Sequence, residues 1–384
     1  MYRRLSTHSI LLAVSVSVAV SAQTLPSKLC PPCAPVTAIQ KSELPADALK
    51  KVEWAIAQDT GVRAPWRPLD RMPGTDRLAG EGAVIVQIDT GVTPHPLLGG
   101  PDFSFVDVHA ADDLFGAGHR NIDPLLGGFL RNAGHGTKTS SVIVGRATEE
   151  LPVSGIAQGA HLVPIRATQS VMLFPKKLGE LDADANRISR GLYTAARGSG
   201  FGLRLRPGER VDVISMSLGT VPETPGLCQA VKAATDAGII VVVAAGNQVK
   251  HTVYPAKCPT AIAVAGTTIS DTPWSGSAGS REVAIAAPAE AVWTAAVVNG
   301  ESSCIEASSG TSFATALVAG LAAEWSVRHP LPKDPAVIKA NPELLTGRYK
   351  VFRDALRETA TRWKNPAWQE KYGAGIVNAT ALFK

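Results

Sequence analysis

Three stretches of the sequence place a reactive side chain at the boundary of an apolar segment. Ser312 follows the small residues 309–311 and begins an apolar helical pattern. A serine there lies in the field of the unpaired N–H groups of a helix N-terminus, which would stabilise the oxyanion that its attack generates. The alternative is that Ser312 only caps the helix.

His135 stands between Gly134 and Gly136, again at the start of an apolar helical pattern. The two glycines let the backbone approach a substrate closely, so this setting favours a general base over a structural histidine.

Asp89 ends the continuous apolar run 83–88, which predicts a strand buried on both faces of a parallel sheet. An acid at the carboxyl end of such a strand lies where α/β folds place their chemistry, although an aspartate that only forms a turn is also common there. The run Asp-Thr-Gly at 89–91 is also typical of aspartic proteases. Those enzymes need two such turns, because two carboxylates share one proton, and no second turn follows downstream.

Alternating strands and helices must position these side chains. The patterns predict strands at 83–88, within 155–166, and at 211–216, 239–245 and 260–266, and helices at 184–197, 228–237 and 351–361. This alternation predicts an α/β fold with a doubly wound, mostly parallel sheet flanked by helices.

Composition restricts the possible classes of protein. The chain has 384 residues, of which 45% are hydrophobic and 18% charged, enough for a large core and unlike a disordered or collagen-like chain. The net charge is +5 and no dense Lys/Arg run occurs, so no nucleic-acid partner is predicted.

The N-terminus has the pattern of an export signal. Arg3 and Arg4 precede an apolar run at 10–20 and small residues before Gln23, so residues 1–22 are interpreted as a signal peptide, with a weak membrane anchor as the alternative. Residues 23–48 are expected to be a linker or short pro-segment, and 49–384 one catalytic domain. The protein is then expected to be secreted or periplasmic, with no stable membrane insertion after the signal is removed.

A loop-rich segment at 103–133 contains six acids and histidines. A metal cluster is possible, but a solvated surface loop is favoured because the ligand spacing is irregular. The residues are Asp107, His109, Asp112, Asp113, His119 and Asp123.

The order Asp89, His135, Ser312 is the order of the subtilisin triad. The segments that contain and surround these residues agree with it: VIVQIDTGV, GHGTKTSSVIVG, SMSLG, VVVAAGN, YPAKCP and SGTSFATALVAG. From about residue 60 to the C-terminus the chain therefore resembles the subtilase family of serine proteases. The resemblance implies a subtilisin-like fold and a serine endopeptidase that acts on polypeptides through an acyl-enzyme. Ser312 would be the nucleophile, His135 the base, and Asp89 the residue that orients His135.

The resemblance also assigns the residues around the triad. Asn247 would donate to the oxyanion, together with the backbone N–H of Ser312. One wall of the substrate site would pair with the substrate backbone as a strand, and the other would face it across the pocket for the residue before the scissile bond. The first wall is Ser217, Leu218 and Gly219, and the second is Ala244, Ala245 and Gly246.

Five cysteines leave an odd count: Cys30, Cys33, Cys228, Cys258 and Cys304. The resemblance implies a Cys228–Cys258 disulfide, with Cys304 as the odd thiol. The pairing of Cys30 and Cys33 stays open.

The chain departs from the family pattern in three places. Little room precedes the first catalytic strand for a folded propeptide, and insertions at 103–133 and 167–209 lengthen the loops near the cleft. The stretch 146–154 is too short for the family's usual calcium loop, so that site is doubted, although calcium elsewhere remains open. No cofactor or metal site is predicted, and a monomer is expected. The alternative function is that of a catalytically silent binding protein with the same fold.

Overall fold

A six-stranded parallel sheet forms the centre of the fold. The computed structural model describes residues 28–29, 77–100, 105–108, 114–115, 121–125, 132–148, 151, 153–173, 180–198, 202–298 and 301–384. The strands are β1 (Lys28–Leu29), β2 (Val84–Asp89), β3 (His161–Arg166), β4 (Met172–Leu173), β5 (Val213–Met216), β6 (Gly219–Thr220), β7 (Ile240–Ala244), β8 (Ile262–Thr267), β9 (Val283–Pro288), β10 (Val292–Val298) and β11 (Glu301–Ser308). The strand order in the central sheet is β3-β2-β5-β7-β8-β9, with every pair parallel.

Helices cover both faces of this sheet. They are α1 (His135–Val144), α2 (Glu180–Arg197), α3 (Leu227–Asp236), α4 (Thr311–Arg328), α5 (Pro335–Ala340), α6 (Glu343–Thr346), α7 (Arg348–Thr359), α8 (Gln369–Tyr372) and α9 (Ala379–Leu382), with 3₁₀ turns at Pro96–Leu98 and Pro366–Trp368.

Alternate residues of β2 enter two separate cores. Ile85 packs in the cluster that contains Ile143 of α1 and Leu317 of α4. Ile88 packs in the cluster that contains Leu192 of α2 and Val231 of α3. Because successive side chains of a strand point to opposite faces, a strand covered by helices on both faces must carry side chains that are apolar or hydrogen-bonded. The buried Gln87 of β2 donates to the Gly136 carbonyl and to Thr139 Oγ1. The doubly wound α/β prediction is confirmed.

Two smaller sheets lie beside the central one. β10 and β11 form an antiparallel hairpin, and β1 pairs with β11 so that Leu29 lies opposite Ile305. β4 and β6 pair in parallel. The sequence patterns predicted neither the hairpin nor β9.

Some sequence predictions cannot be compared with the structure. The signal peptide at 1–22 and most of the linker at 23–48 lie outside the described residues. Among the helices that are described, none has the length and apolarity needed to cross a membrane.

Candidate active site

The fold brings the three predicted reactive residues to the ends of neighbouring elements. Asp89 is the last residue of β2, His135 the first of α1, and Ser312 lies in the first turn of α4. His135 and Ser312 line one cleft together with Asn247 and Phe313. Asp89 lies behind His135 and is almost fully buried.

Asp89 and His135 form a buried pair. His135 Nδ1 lies 2.8 Å from Asp89 Oδ1, which also accepts the N–H of Thr90 at 2.7 Å. The Thr139 hydroxyl lies 3.3 Å from Asp89 Oδ2. A carboxylate can only accept, so a neutral His135 carries its proton on Nδ1 and leaves Nε2 free to act as a base.

Two residues outside α1 cap the start of that helix. Its N-cap is Gly134, which adopts φ 73° and has no side chain to offer. Thr90 Oγ1 accepts the N–H of Gly136 at 3.0 Å and donates its own proton to Asp123 Oδ2 at 2.6 Å. Asp123 Oδ2 also accepts the N–H of Gly134 at 2.8 Å. Thr90 and Asp123 thus supply the oxygen acceptors that an N-cap side chain normally provides, and they hold both neighbours of His135.

Asp123 is not the solvated loop residue that the sequence predicted, because only 4% of it is exposed. Burial raises the pKa of its carboxyl, and the negative charge of Asp89 adds to that rise. Hydrogen bonds from Thr90, Leu125 and Gly134 act in the opposite direction by favouring the ionised form. The segment 121–125 is therefore part of the support of the site.

Ser312 is buried, and its hydroxyl is directed toward the wall at Ser217. Ser312 Oγ donates to the Ser217 carbonyl at 3.4 Å, and Ser217 Oγ donates to the Ser312 carbonyl at 3.0 Å. These two bonds fix the start of α4 against the end of β5.

Asn247 has a defined amide orientation. Its Oδ1 accepts the backbone N–H of Thr311 at 2.9 Å and the Thr311 hydroxyl at 2.7 Å. Because both donors lie on the oxygen side, Nδ2 is directed toward Gly310, whose missing side chain leaves space along the cleft. Thr311 Oγ1 also accepts the Gly246 N–H at 3.3 Å. The sequence pattern named Asn247 but gave Thr311 no role.

The predicted substrate walls follow β5 and β7. Ser217, Leu218 and Gly219 come directly after β5, while Ala244 ends β7 and leads to Ala245 and Gly246. The Gly219 N–H donates to the Val171 carbonyl at 2.9 Å, next to the pairing of β4 with β6. A substrate strand that uses the Gly219 N–H would have to replace this bond.

The cysteine predictions are in part wrong. Cys228 and Cys258 form a disulfide with a Cα–Cα distance of 5.2 Å, as the resemblance implied. Cys304 is also disulfide-bonded, so it is not the odd thiol.

The carbonyl of Cys304 lies 2.8 Å from His95 Nε2, and burial lowers the pKa of His95 to about 4.

Within the part of the chain that the structure describes, no group of three His, Cys, Asp or Glu side chains could hold a metal ion. The expectations on calcium and cofactors stay predictions.

Comparisons with known proteins show the family and the fold of this chain. The model of the subtilase family matches residues 80–375. An extracellular protease of Xanthomonas campestris pv. campestris is 29% identical over 82% of this chain and 53% of its own length. Thermitase of Thermoactinomyces vulgaris is 32% identical over 64% of this chain and 76% of its own. A solved protease from Pseudoalteromonas arctica has a TM-score of 0.59 at 24% identity, covering 79% of this chain and 90% of that one. The chain thus spans about half the length of the Xanthomonas relative.

Proposed function

This chain belongs to the subtilase family of serine peptidases, and on that premise we propose that it is a secreted serine endopeptidase acting through an acyl-enzyme. The observation that supports this most strongly is the 2.8 Å pair of Asp89 and His135 at the back of the cleft that Ser312 and Asn247 line. A buried carboxylate, a histidine with a free Nε2, a serine and an amide donor are the parts that acyl transfer needs.

The proposed first step is attack by Ser312 on the scissile carbonyl. Before it can react, the Ser312 hydroxyl must turn from the Ser217 carbonyl toward His135 Nε2, and such bonds often form only when substrate is present. His135 takes the hydroxyl proton as the Oγ–C bond forms, and later gives it to the leaving amine as the C–N bond breaks. Water then attacks the acyl-enzyme by the same route in reverse.

Charge develops at two places during this step. The imidazolium of His135 would be stabilised by Asp89, which is shielded from water and aligned by the Thr90 N–H. The oxyanion would be stabilised by Asn247 Nδ2 and the Ser312 N–H. Because Thr311 fixes the Asn247 amide beforehand, that donor would need no reorganisation during the reaction.

The aspartic-protease interpretation of Asp89 is wrong. That class has an all-β fold, whereas this chain has a parallel α/β sheet and belongs to the subtilases. The remaining alternative is a binding protein with this fold but no activity, and the experiment below separates the two.

Export and assembly belong to the same proposal. The basic and apolar pattern at 1–22 supports secretion, as does the similarity to a protease described as extracellular. The proposed substrates are polypeptides, and the proposed state is a monomer.

The direct test is hydrolysis of fluorescently labelled casein by the purified chain. We expect activity that Ser312→Ala abolishes and that a serine-directed fluorophosphonate blocks, whereas pepstatin has no effect. A folded wild-type protein without casein hydrolysis would favour the silent binding protein. Activity that survives Ser312→Ala would contradict the mechanism.

A further inference from the structure

A single valine side chain lies between the two predicted substrate walls. The backbone around Val253 bridges them: the Val253 N–H donates to the Ala245 carbonyl at 2.9 Å, and Tyr254 exchanges two 2.9 Å bonds with Thr220. The isopropyl group of Val253 therefore stands across the space between Gly246 on one wall and Gly219 on the other.

The contacts of the two wall glycines show how completely this space is filled. A Cβ built on Gly219 would overlap Val253 Cγ2. A Cβ built on Gly246 would lie 3.1 Å from Val253 Cγ1 and 3.2 Å from Val249 Cγ2. Val253 is 3% exposed, so it is enclosed and does not point into open solvent.

The cleft beside the nucleophile is lined by His135, Asn247 and Ser312. A substrate carbonyl placed on Ser312 Oγ, with its oxygen at Asn247, would direct the preceding side chain between the walls, where Val253 already lies. Close-packed protein interiors do not accept extra methylenes without displacement, so only a short side chain fits.

We propose that Val253 is a specificity-determining residue that limits the position before the scissile bond to glycine, alanine or serine. This inference rests on the proposed endopeptidase function, because it concerns which peptides that site accepts. Val253 would restrict the substrates to small-residue sequences by occupying the volume that a leucine or phenylalanine side chain needs.

Peptide p-nitroanilides of the form Ala-Ala-Pro-X test the proposal, with X as alanine, leucine or phenylalanine. For the wild type we expect kcat/KM with alanine to exceed that with phenylalanine by about 100-fold or more. One misfitting methylene already changes kcat/KM by about 10- to 200-fold, and phenylalanine exceeds alanine by several carbons. Val253→Gly should raise kcat/KM for phenylalanine by about 10-fold or more. Val253→Thr has nearly the same shape and should keep the wild-type preference.

Two controls separate pocket shape from general damage. Val283→Ala alters another buried valine, on the last strand of the central sheet, and should leave the preference unchanged. Val253→Ala serves if the glycine variant does not fold. A wild type that hydrolyses the phenylalanine substrate as well as the alanine one would overturn the proposal, as would a folded Val253→Gly or Val253→Ala with an unaltered ratio.

Failure of the inference can be told from failure of the proposed function. Hydrolysis that Ser312→Ala abolishes, but with a preference for large side chains, contradicts only the role of Val253. A folded wild type that hydrolyses none of the peptides contradicts the endopeptidase function, and the inference with it.

Discussion

Replacing Thr90 with valine tests whether the start of α1 is held from outside the helix. Thr90 is 2% exposed, and its hydroxyl is the only part that valine lacks. The change removes the acceptor of the Gly136 N–H and the donor to Asp123. It leaves the backbone bond from the Thr90 N–H to Asp89 in place.

The magnitude follows from those two lost bonds. An unsatisfied buried N–H costs about 1–3 kcal/mol, and a lost hydrogen bond to a charged group about 1.5–3 kcal/mol, so the free energy of unfolding should fall by about 2.5–6 kcal/mol. For a domain of this size Tm should drop by roughly 5–20 °C. The larger effect is expected on activity, since a displacement of His135 by a fraction of an ångström would lower kcat by about 10- to 100-fold.

The assay compares variants under conditions where each is folded. Thermal unfolding gives Tm, and the concentration dependence of fluorophosphonate labelling separates kinact from KI. Thr90→Ser keeps the hydroxyl and should restore labelling. Thr235→Val removes a buried hydroxyl that bonds only within α3, so it should lower Tm without slowing labelling. If Thr90→Val lowers Tm but labels at the wild-type rate, the capping contacts do not position His135 and the reasoning is refuted.

Two further predictions concern stability at low pH and the oxyanion donor. Because burial lowers the pKa of His95 to about 4 from 6.5, the unfolded chain takes up a proton below about pH 6.5 before the folded one does. The stabilisation that comes from a neutral, buried His95 is therefore fully present above that pH. As the pH falls toward 4 it is lost, and the free energy of unfolding decreases by about 3 kcal/mol at most. Urea unfolding at pH 7 and pH 4 should show a smaller difference for His95→Gln than for the wild type, and an equal difference would contradict this account. Asn247→Ala should lower kcat by about 10²–10³-fold with little change in KM, because the donor acts on charge that exists only in the transition state. Steady-state kinetics on a peptide p-nitroanilide measure this, and a rise in KM alone would show that Asn247 binds ground-state substrate instead.

The elements around the triad could be predicted because their sequence signals are local. The strand that ends at Asp89 is a short, mostly apolar run, and the helices whose first turns contain His135 and Ser312 each follow glycine or small residues. In a parallel α/β sheet, the carboxyl ends of the strands and the N-termini of the helices that follow them lie at the same edge. The fold class alone therefore predicts that these residues lie near each other.

The residues that hold the triad and the substrate walls in place do so through contacts between segments far apart in the sequence. No local sequence pattern indicates such contacts. Asp123 lies in an irregular loop, and nothing near it in the sequence indicates that it bonds Thr90 and Gly134. Val253 precedes Tyr254 in an ordinary polar-apolar stretch, and its place between two glycines appears only once the walls are assembled. The β10–β11 hairpin is a different case, because Asn-Gly separates its two strands in the sequence and is a strong hairpin signal.

The most direct test of the central claim is the mass of the protein after reaction with a fluorophosphonate. We predict one adduct per folded molecule, located at Ser312 by peptide mass spectrometry, and none in Ser312→Ala. His135→Ala should slow the reaction by several orders of magnitude, since without its base a serine hydroxyl is a poor nucleophile. An adduct on another residue, or equal labelling of the Ser312→Ala protein, would contradict the claim that Asp89, His135 and Ser312 form a working triad.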